Sequence, residues 1–192
     1  MQRCADHACG APAFGRLEWC GAACNRRFRR NGTWFVPTLV EMYSRYRSDG
    51  FDRDRIATLF ADPRLRFFPP DRVARWRSNL EEQADWLRVQ PNRDELIRLA
   101  EREVHDRLRM VRDMHRGGAM ILAGTDASFN FPLVLLGYSL HEELEMLVRA
   151  GLSPLAALQA GTIAPARFLG RSDRDDAAVR RDALSGMTAL GI

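Results

Sequence analysis

The strongest chemical signal in this chain is a single aspartate placed just beyond a short apolar run. The run is Met120-Ile-Leu-Ala-Gly-Thr-Asp126, entered from Gly117-Gly118 and left through Gly124. Residues 119–123 carry no helical stripe, which suits a strand buried on both faces. Thr125 and Asp126 then fall just past its carboxyl end. A carboxylate held there can bind a divalent metal ion and take a proton from water whose pKa the metal has lowered. Thr125 can orient that carboxylate through a hydrogen bond or simply satisfy the local backbone. Asp after Gly-Thr also suits a plain Asx turn, so the residue types alone leave both roles open. His141, in Ser139-Leu-His-Glu-Glu-Leu144, opens a helix within reach of the same strand end. It equally suits an exposed first turn, where the helix dipole favours Glu142 and Glu143.

The remaining ligand types are scattered. His105 and His115 stand on a long predicted helix, His115 in its last turn, where positive charge is favoured. Cys4, Cys9, Cys20 and Cys24 all lie near the amino terminus, together with His7. These five side chains supply enough soft ligands for a tetrahedral structural zinc site, although their spacing is that of no familiar finger. Structural disulfides are not expected in a reducing cytosol.

Two short strands and a set of helices must position these groups. Trp34-Phe35-Val36 is a β-favouring triplet after the Asn31-Gly32-Thr33 turn and is stopped by Pro37. Thr38 is placed to cap the next helix, with Glu41 completing a capping box. Between the two strands the pattern is helical: residues 52–60, then a helix opened by Pro69-Pro70 with a stripe of Val73, Trp76, Leu80, Ala84 and Leu87. A third begins at Pro91-Asn92, with Leu96, Leu99, Ala100, Val104, Leu108 and Val111 on one face until Gly117-Gly118. Two such helices joined by a short break should pair antiparallel. Residues 129–137, with Pro132 inside, read as a loop; Ser139, Ser153-Pro154 and Pro165 each start a helix. A short helix over residues 17–28 is the one element expected before residue 31.

Composition excludes several classes. At 192 residues the chain suits one domain but is short of the roughly 250 that a complete eight-stranded α/β barrel needs. With 46% apolar and 28% charged residues, general disorder is not expected. The net charge is +4, yet arginine alternates with Asp and Glu along helical faces, which favours a solvated surface over a nucleic-acid partner. No apolar stretch reaches the roughly 18 to 20 residues of a membrane span, and the amino terminus lacks the apolar core of a signal peptide. A cytoplasmic protein with no membrane partner is expected. All 29 basic residues are arginine, so no side chain can form a Schiff base.

The order of these segments, from Met120 to Asp126 through residues 139–144 and Gly151-Leu-Ser-Pro-Leu-Ala-Ala-Leu158 to Thr162-Ile-Ala-Pro-Ala-Arg-Phe-Leu-Gly170, resembles the last strand and following helices of the metal-dependent amidohydrolase superfamily. The nearest look is its imidazolonepropionase-like and prolidase-like branch, and Asn31-Gly-Thr-Trp-Phe-Val-Pro-Thr-Leu39 resembles the segment before the last barrel strand there. The resemblance spans residues 25–170 and is lost from Arg171 onward. It implies an α/β fold: a partial (β/α)8 TIM-type barrel, its last strands and helices, with a long antiparallel helical insertion between two strands. The corresponding divisions are a Cys-rich arm (1–30), the barrel portion (31–170) and an irregular tail (171–192).

It further implies metal-dependent hydrolysis of a carbon–nitrogen bond in a small non-peptide amide, cyclic amide or dipeptide-like substrate, with zinc as the expected metal. Asp126 would be metal ligand and general base, and His141 and Thr125 would lie near the substrate. The superfamily site also needs a His-x-His pair and histidines from middle strands, and in part of it a carbamylated lysine; this chain carries none of these. The expectation is therefore a truncated portion, incomplete for catalysis and unable to hold metal tightly alone. It would be completed by an amino-terminal half or serve as a self-associating interaction unit. A small zinc-stabilised binding module built on Cys4, His7, Cys9, Cys20 and Cys24 is the other alternative.

Overall fold

The computed structural model describes residues 22–49, 53–127 and 134–170. Within them the chain runs α1 (Ala22–Arg30), β1 (Trp34–Phe35), α2 (Leu39–Asp49), α3 (Arg53–Phe60), a 3-10 helix (Pro63–Phe67), α4 (Pro70–Arg88), α5 (Arg93–Arg116), β2 (Met120–Ile121), α6 (Ser139–Arg149), α7 (Pro154–Gly161) and α8 (Ile163–Phe168). The described residues are thus mostly helical, with one two-stranded sheet. Its strands are parallel, pairing Trp34 with Met120 and Phe35 with Ile121. The α/β expectation holds in this coarse form; two strands of this length do not by themselves make part of a barrel. None of the described helices is long and apolar enough to cross a membrane.

Both strands are entered from the same kind of helix stop. Behind α1, the Thr33 N–H donates to the Phe28 carbonyl and the Gly32 N–H to that of Arg29, with Gly32 at φ 59°. Behind α5, Ala119 donates to Met114 and Gly118 to His115, with Gly118 at φ 78°. These are Schellman motifs, in which a left-handed residue satisfies carbonyls that the helix end would otherwise orphan. Gly151 closes α6 the same way, at φ 106°. Helix α1 is also fastened to the carboxyl-terminal part of α5. Asn25 is buried and its Nδ2 donates to the Asp113 carbonyl at 2.8 Å. A Cβ on Gly117 would collide with the Asn25 side chain, so glycine is what permits the approach.

The chain divides into two compact units. One contains α1, the sheet, the end of α5, most of α6, and α7 and α8. Its buried side chains include Val111, Met114, Ile121, Leu122, Met146, Leu147, Leu152, Ala157 and Ala160. The other comprises Thr38–Arg107 with Thr125–Glu142. There Ile56, Leu80 and Ala84 form one core cluster, and Leu65, Trp76 and Leu135 another, with Phe60 packing against both.

The α4 stripe is buried as its spacing predicts, at Trp76, Leu80, Ala84 and Leu87. The antiparallel pairing with α5 is not its main packing: α4 packs chiefly on α2 and α3, which occupy its apolar face. Of the α5 stripe only the carboxyl end is buried, at Val111 and Met114. Residues 22–30 of the expected arm form helix α1. Cys4, His7, Cys9 and Cys20, residues 128–133 of the expected loop, and the tail from residue 171 lie outside the described residues.

Candidate active site

The carboxyl end of β2 is pinned on both sides. The Leu122 N–H donates to the Phe35 carbonyl at 2.9 Å, and the Ala123 N–H to the Ala160 carbonyl at 2.9 Å. Gly124 follows, where a Cβ would stand 2.5 Å from Val36 Cγ1, so a larger residue would force the two strand ends apart. Thr125 and Asp126 therefore leave from a fixed point in the chain.

Asp126 is exposed and takes a left-handed backbone, φ 50°. One other described non-glycine residue does so, Thr38 at φ 47°. Each stands a few residues beyond the carboxyl end of a strand. The two positions differ in cost, because aspartate visits this region readily while a β-branched side chain is an outlier there. The strain is at Thr38. That conformation also overturns the capping box expected of Thr38 with Glu41, since a helix cap of that kind needs extended backbone. Thr125 Oγ1 accepts from the Ala127 N–H at 3.2 Å, the local-backbone role open to it.

His141 is exposed in the first turn of α6, its N–H donating to the Tyr138 carbonyl at 3.0 Å. The turn that carries it is built from residues whose roles the pattern did not reveal. Ser139 Oγ accepts from the Leu135 N–H at 2.8 Å and meets Glu142 Oε2 at 3.1 Å. Arg64 reaches Glu142 Oε1 at 3.4 Å and lies over the Tyr138 ring, 5.7 Å from its centroid, while Tyr138 stacks on Phe67. The Arg64 guanidinium is held by Asp62, with contacts of 2.9 and 2.6 Å to Oδ2, and the Asp62 Oδ1 caps the 3-10 helix at the Arg64 N–H. The hydrogen bond from Arg64 holds the Asp62 carboxyl below its ordinary value, partly opposed by burial, and Arg64 is raised in turn.

In the sequence, Asp62-Pro63 follows the helix expected over residues 52–60, and Asp before Pro is a cap signature for the turn that comes next. Ser139-x-x-Glu142 is likewise a capping-box pattern. Glu142 and Glu143, read together as helix-end charges, separate in the fold: Glu142 is half-buried beside Arg64, and Glu143 is fully buried. His105 is exposed on α5 and His115 half-buried in its last turn.

Asp126, Thr125 and His141 all belong to the second unit. A model of the amidohydrolase family matches residues 71–174, more than half of the chain. The chain belongs to the amidohydrolase family. The match takes in α4 through α8 with Asp126 and His141, and leaves out residues 31–39, whose likeness to the family was read from the sequence. No curated protein and no solved structure matches the chain. Amidohydrolase-family proteins usually bind divalent metals. Among the described residues no three His, Cys, Asp or Glu side chains converge, so these residues do not make up such a site. Cys24 lies in α1, and the other proposed zinc ligands of the arm fall outside the described residues.

Proposed function

We propose that this amidohydrolase-family chain takes part in hydrolysis of a carbon–nitrogen bond in a small amide, cyclic amide or dipeptide-like molecule, and that its described residues supply only part of the site. Asp126 accepts the proton of the attacking water as oxygen bonds to the carbonyl carbon. The carbon–nitrogen bond then breaks, and that proton passes to the leaving nitrogen. His141 and Thr125 line the substrate side. The observation that carries this reading is Asp126 itself: an exposed carboxylate just past the end of a parallel strand, inside the family match. Strand ends of that kind are where such folds collect catalytic groups.

The remaining metal ligands come from residues outside the described segments or from a complementing polypeptide, with residues 31–170 as the last strands and helices of a TIM-type barrel in the cytoplasm. The branch assigned is the imidazolonepropionase-like and prolidase-like one. A non-catalytic interaction unit is the second reading, favoured by large apolar side chains left on the surface, among them Leu155, Phe168 and Leu169.

A hydrolysis screen over amides and cyclic amides, run with added zinc or manganese, separates the two. Under the first reading Asp126→Asn lowers the rate at least about 100-fold, the scale of a lost general base. Turnover that survives Asp126→Asn removes the assignment. Because the described residues supply only part of the site, a folded chain without turnover is decided by metal binding: zinc that binds the native chain no better than Asp126→Asn removes the catalytic reading in favour of the interaction unit.

A further inference from the structure

Two arginines leave the 3-10 helix two residues apart, and each lies on an aromatic ring. Leu65 between them is buried with Trp76 and Leu135. The turn is closed by the Leu65 N–H donating to the Asp62 carbonyl and the Phe68 N–H to the Leu65 carbonyl, both at 3.0 Å. With about three residues per turn, burying Leu65 sends Arg64 and Arg66 out on either side of it. Arg64 Cζ stands 5.7 Å from the Tyr138 centroid and Arg66 Cζ 4.7 Å from that of Phe67. The two rings stack on each other, 6.4 Å between centroids and 19° between planes, and both remain exposed. Two rings and two guanidinium groups thus form one continuous surface.

The two arginines differ in what their donors meet. A guanidinium lying on a ring keeps its N–H groups in its own plane, where they match a carboxylate two at a time. Arg64 uses them in this way: Nε and Nη2 reach Asp62 Oδ2 at 2.9 and 2.6 Å, and Nη1 reaches Glu142 Oε1 at 3.4 Å. Arg66 has the same kind of aromatic support, is exposed, and among the described residues has no carboxylate partner. A surface arginine as such needs no explanation; its place gives Arg66 one. The carbonyl of Tyr138 accepts the His141 N–H at 3.0 Å, so the surface runs into the first turn of α6. All of these residues lie in the unit that carries Asp126. Arg64 with Asp62 shows within the same molecule which chemistry such a stacked guanidinium holds.

We propose that Arg66, supported on Phe67, is a specificity-determining residue that binds a carboxylate of the substrate, so that the molecule hydrolysed is a small amide carrying a free carboxylate. The substrate role rests on the hydrolytic reading of Asp126, whereas the binding of a carboxylate at Arg66 is measured without turnover. Arg66 takes the anionic end through its planar fork, the exposed Phe67 and Tyr138 rings lie against the apolar part, and His141 stands at the far end of the same surface.

NMR titration of the full chain with N-benzoylglycine and N-benzoylglycinamide tests it, since the two probes share an amide and a ring and differ in the charge of one end. The native chain binds the carboxylate probe about tenfold more tightly or better, the scale of a charge-assisted hydrogen bond. Arg66→Gln brings the two affinities together. Arg66→Lys keeps the charge without the fork and gives an intermediate ratio. Phe67→Ala leaves Arg66 in the chain but removes its support, and also lowers the ratio. Circular dichroism confirms that each variant is folded, as substitution of exposed side chains should allow. A native chain that binds both probes alike, or neither, overturns the proposal, and so does a preference that survives Arg66→Gln. The hydrolytic reading fails separately, by turnover that survives Asp126→Asn, so the two failures are told apart.

Discussion

Helices α4 and α5 are written in the same code and end in different circumstances. Both repeat apolar residues at helical spacing, both open with acidic residues that suit the positive end of the dipole, and both carry Arg–acid pairs one turn apart, as at Arg77–Glu81 and Arg107–Glu103. Along α4 the stripe disappears into a core made with α2 and α3. Along α5 it is buried only at Val111 and Met114, and Leu99 remains 50% exposed. Periodicity fixes which side of a helix is apolar. It says nothing of whether another element arrives to cover that side, because the covering depends on chain segments far away in sequence.

The contrast can be broken most directly by equal truncations on the two stripes. Leu80 is fully buried in α4, so Leu80→Ala leaves a cavity and costs about 2 to 5 kcal/mol. Leu99→Ala removes the same atoms from α5 where water already reaches them, and changes stability by less than about 0.5 kcal/mol. Urea unfolding of both variants measures the difference. Equal losses would mean that the α5 stripe is covered after all, and the distinction between the helices would fall.

A smaller effect sharpens where α5 is anchored. Its firm end is the Schellman stop at Gly118, beside which Arg29 lies so that a Cβ would stand 3.2 Å from Arg29 Cδ. Gly118→Ala forces an L-residue into left-handed backbone and displaces that side chain, a loss of about 1 to 2 kcal/mol. Gly137, at φ 82°, carries the same backbone demand with nothing near its missing Cβ. Gly137→Ala is therefore the control. Thermal unfolding should show Gly118→Ala the more destabilised of the two, and the reverse order would move the anchor elsewhere.

Much of the scaffold was legible because its signals are local. Gly118 and Gly151 end helices where the sequence sets glycine after an apolar-periodic run, Gly32 ends α1 within the Asn31-Gly32-Thr33 turn, and Ser153 caps α7, its Oγ accepting from the Ala156 N–H. The parallel pairing of β1 with β2 agrees with two short β-favouring segments separated by helices. What was not legible depends on distant partners or on backbone shape. Thr38 has the type and spacing of a cap, yet its positive φ denies it that role. Glu142 and Glu143 are neighbours of identical type, and only the turn of α6 sends one to Arg64 and the other into the interior. Asp126 was legible by position, since a buried apolar run ending in Gly-Thr-Asp places the carboxylate wherever the strand ends. The further metal ligands that the proposed function requires have no such local signature among the described residues.

The smallest expected effect tests what holds the cover over α4. Leu65 and Trp76 share a core cluster with Leu135, and Leu65 belongs to the 3-10 helix that Asp62 caps and that Arg64 ties to Glu142. The folded Asp62 carboxyl sits below its ordinary value of 3.8, chiefly through the hydrogen bond from Arg64. A group depressed in the folded state stabilises the fold above its unfolded pKa and loses that contribution as pH falls through the folded value. The native chain should therefore lose stability more steeply below about pH 4 than Asp62→Asn does, while the two run parallel between about pH 6 and 8. The asparagine retains a carbonyl oxygen to accept from the Arg64 N–H, so the cap survives and only the charge is removed. Repeating the titration in high salt should narrow the gap, because a partly exposed pair is screened. Identical acid profiles would show that the covering of α4 rests on Leu65, Trp76 and Leu135 alone, and that the ion pair beside them is an ornament of the surface.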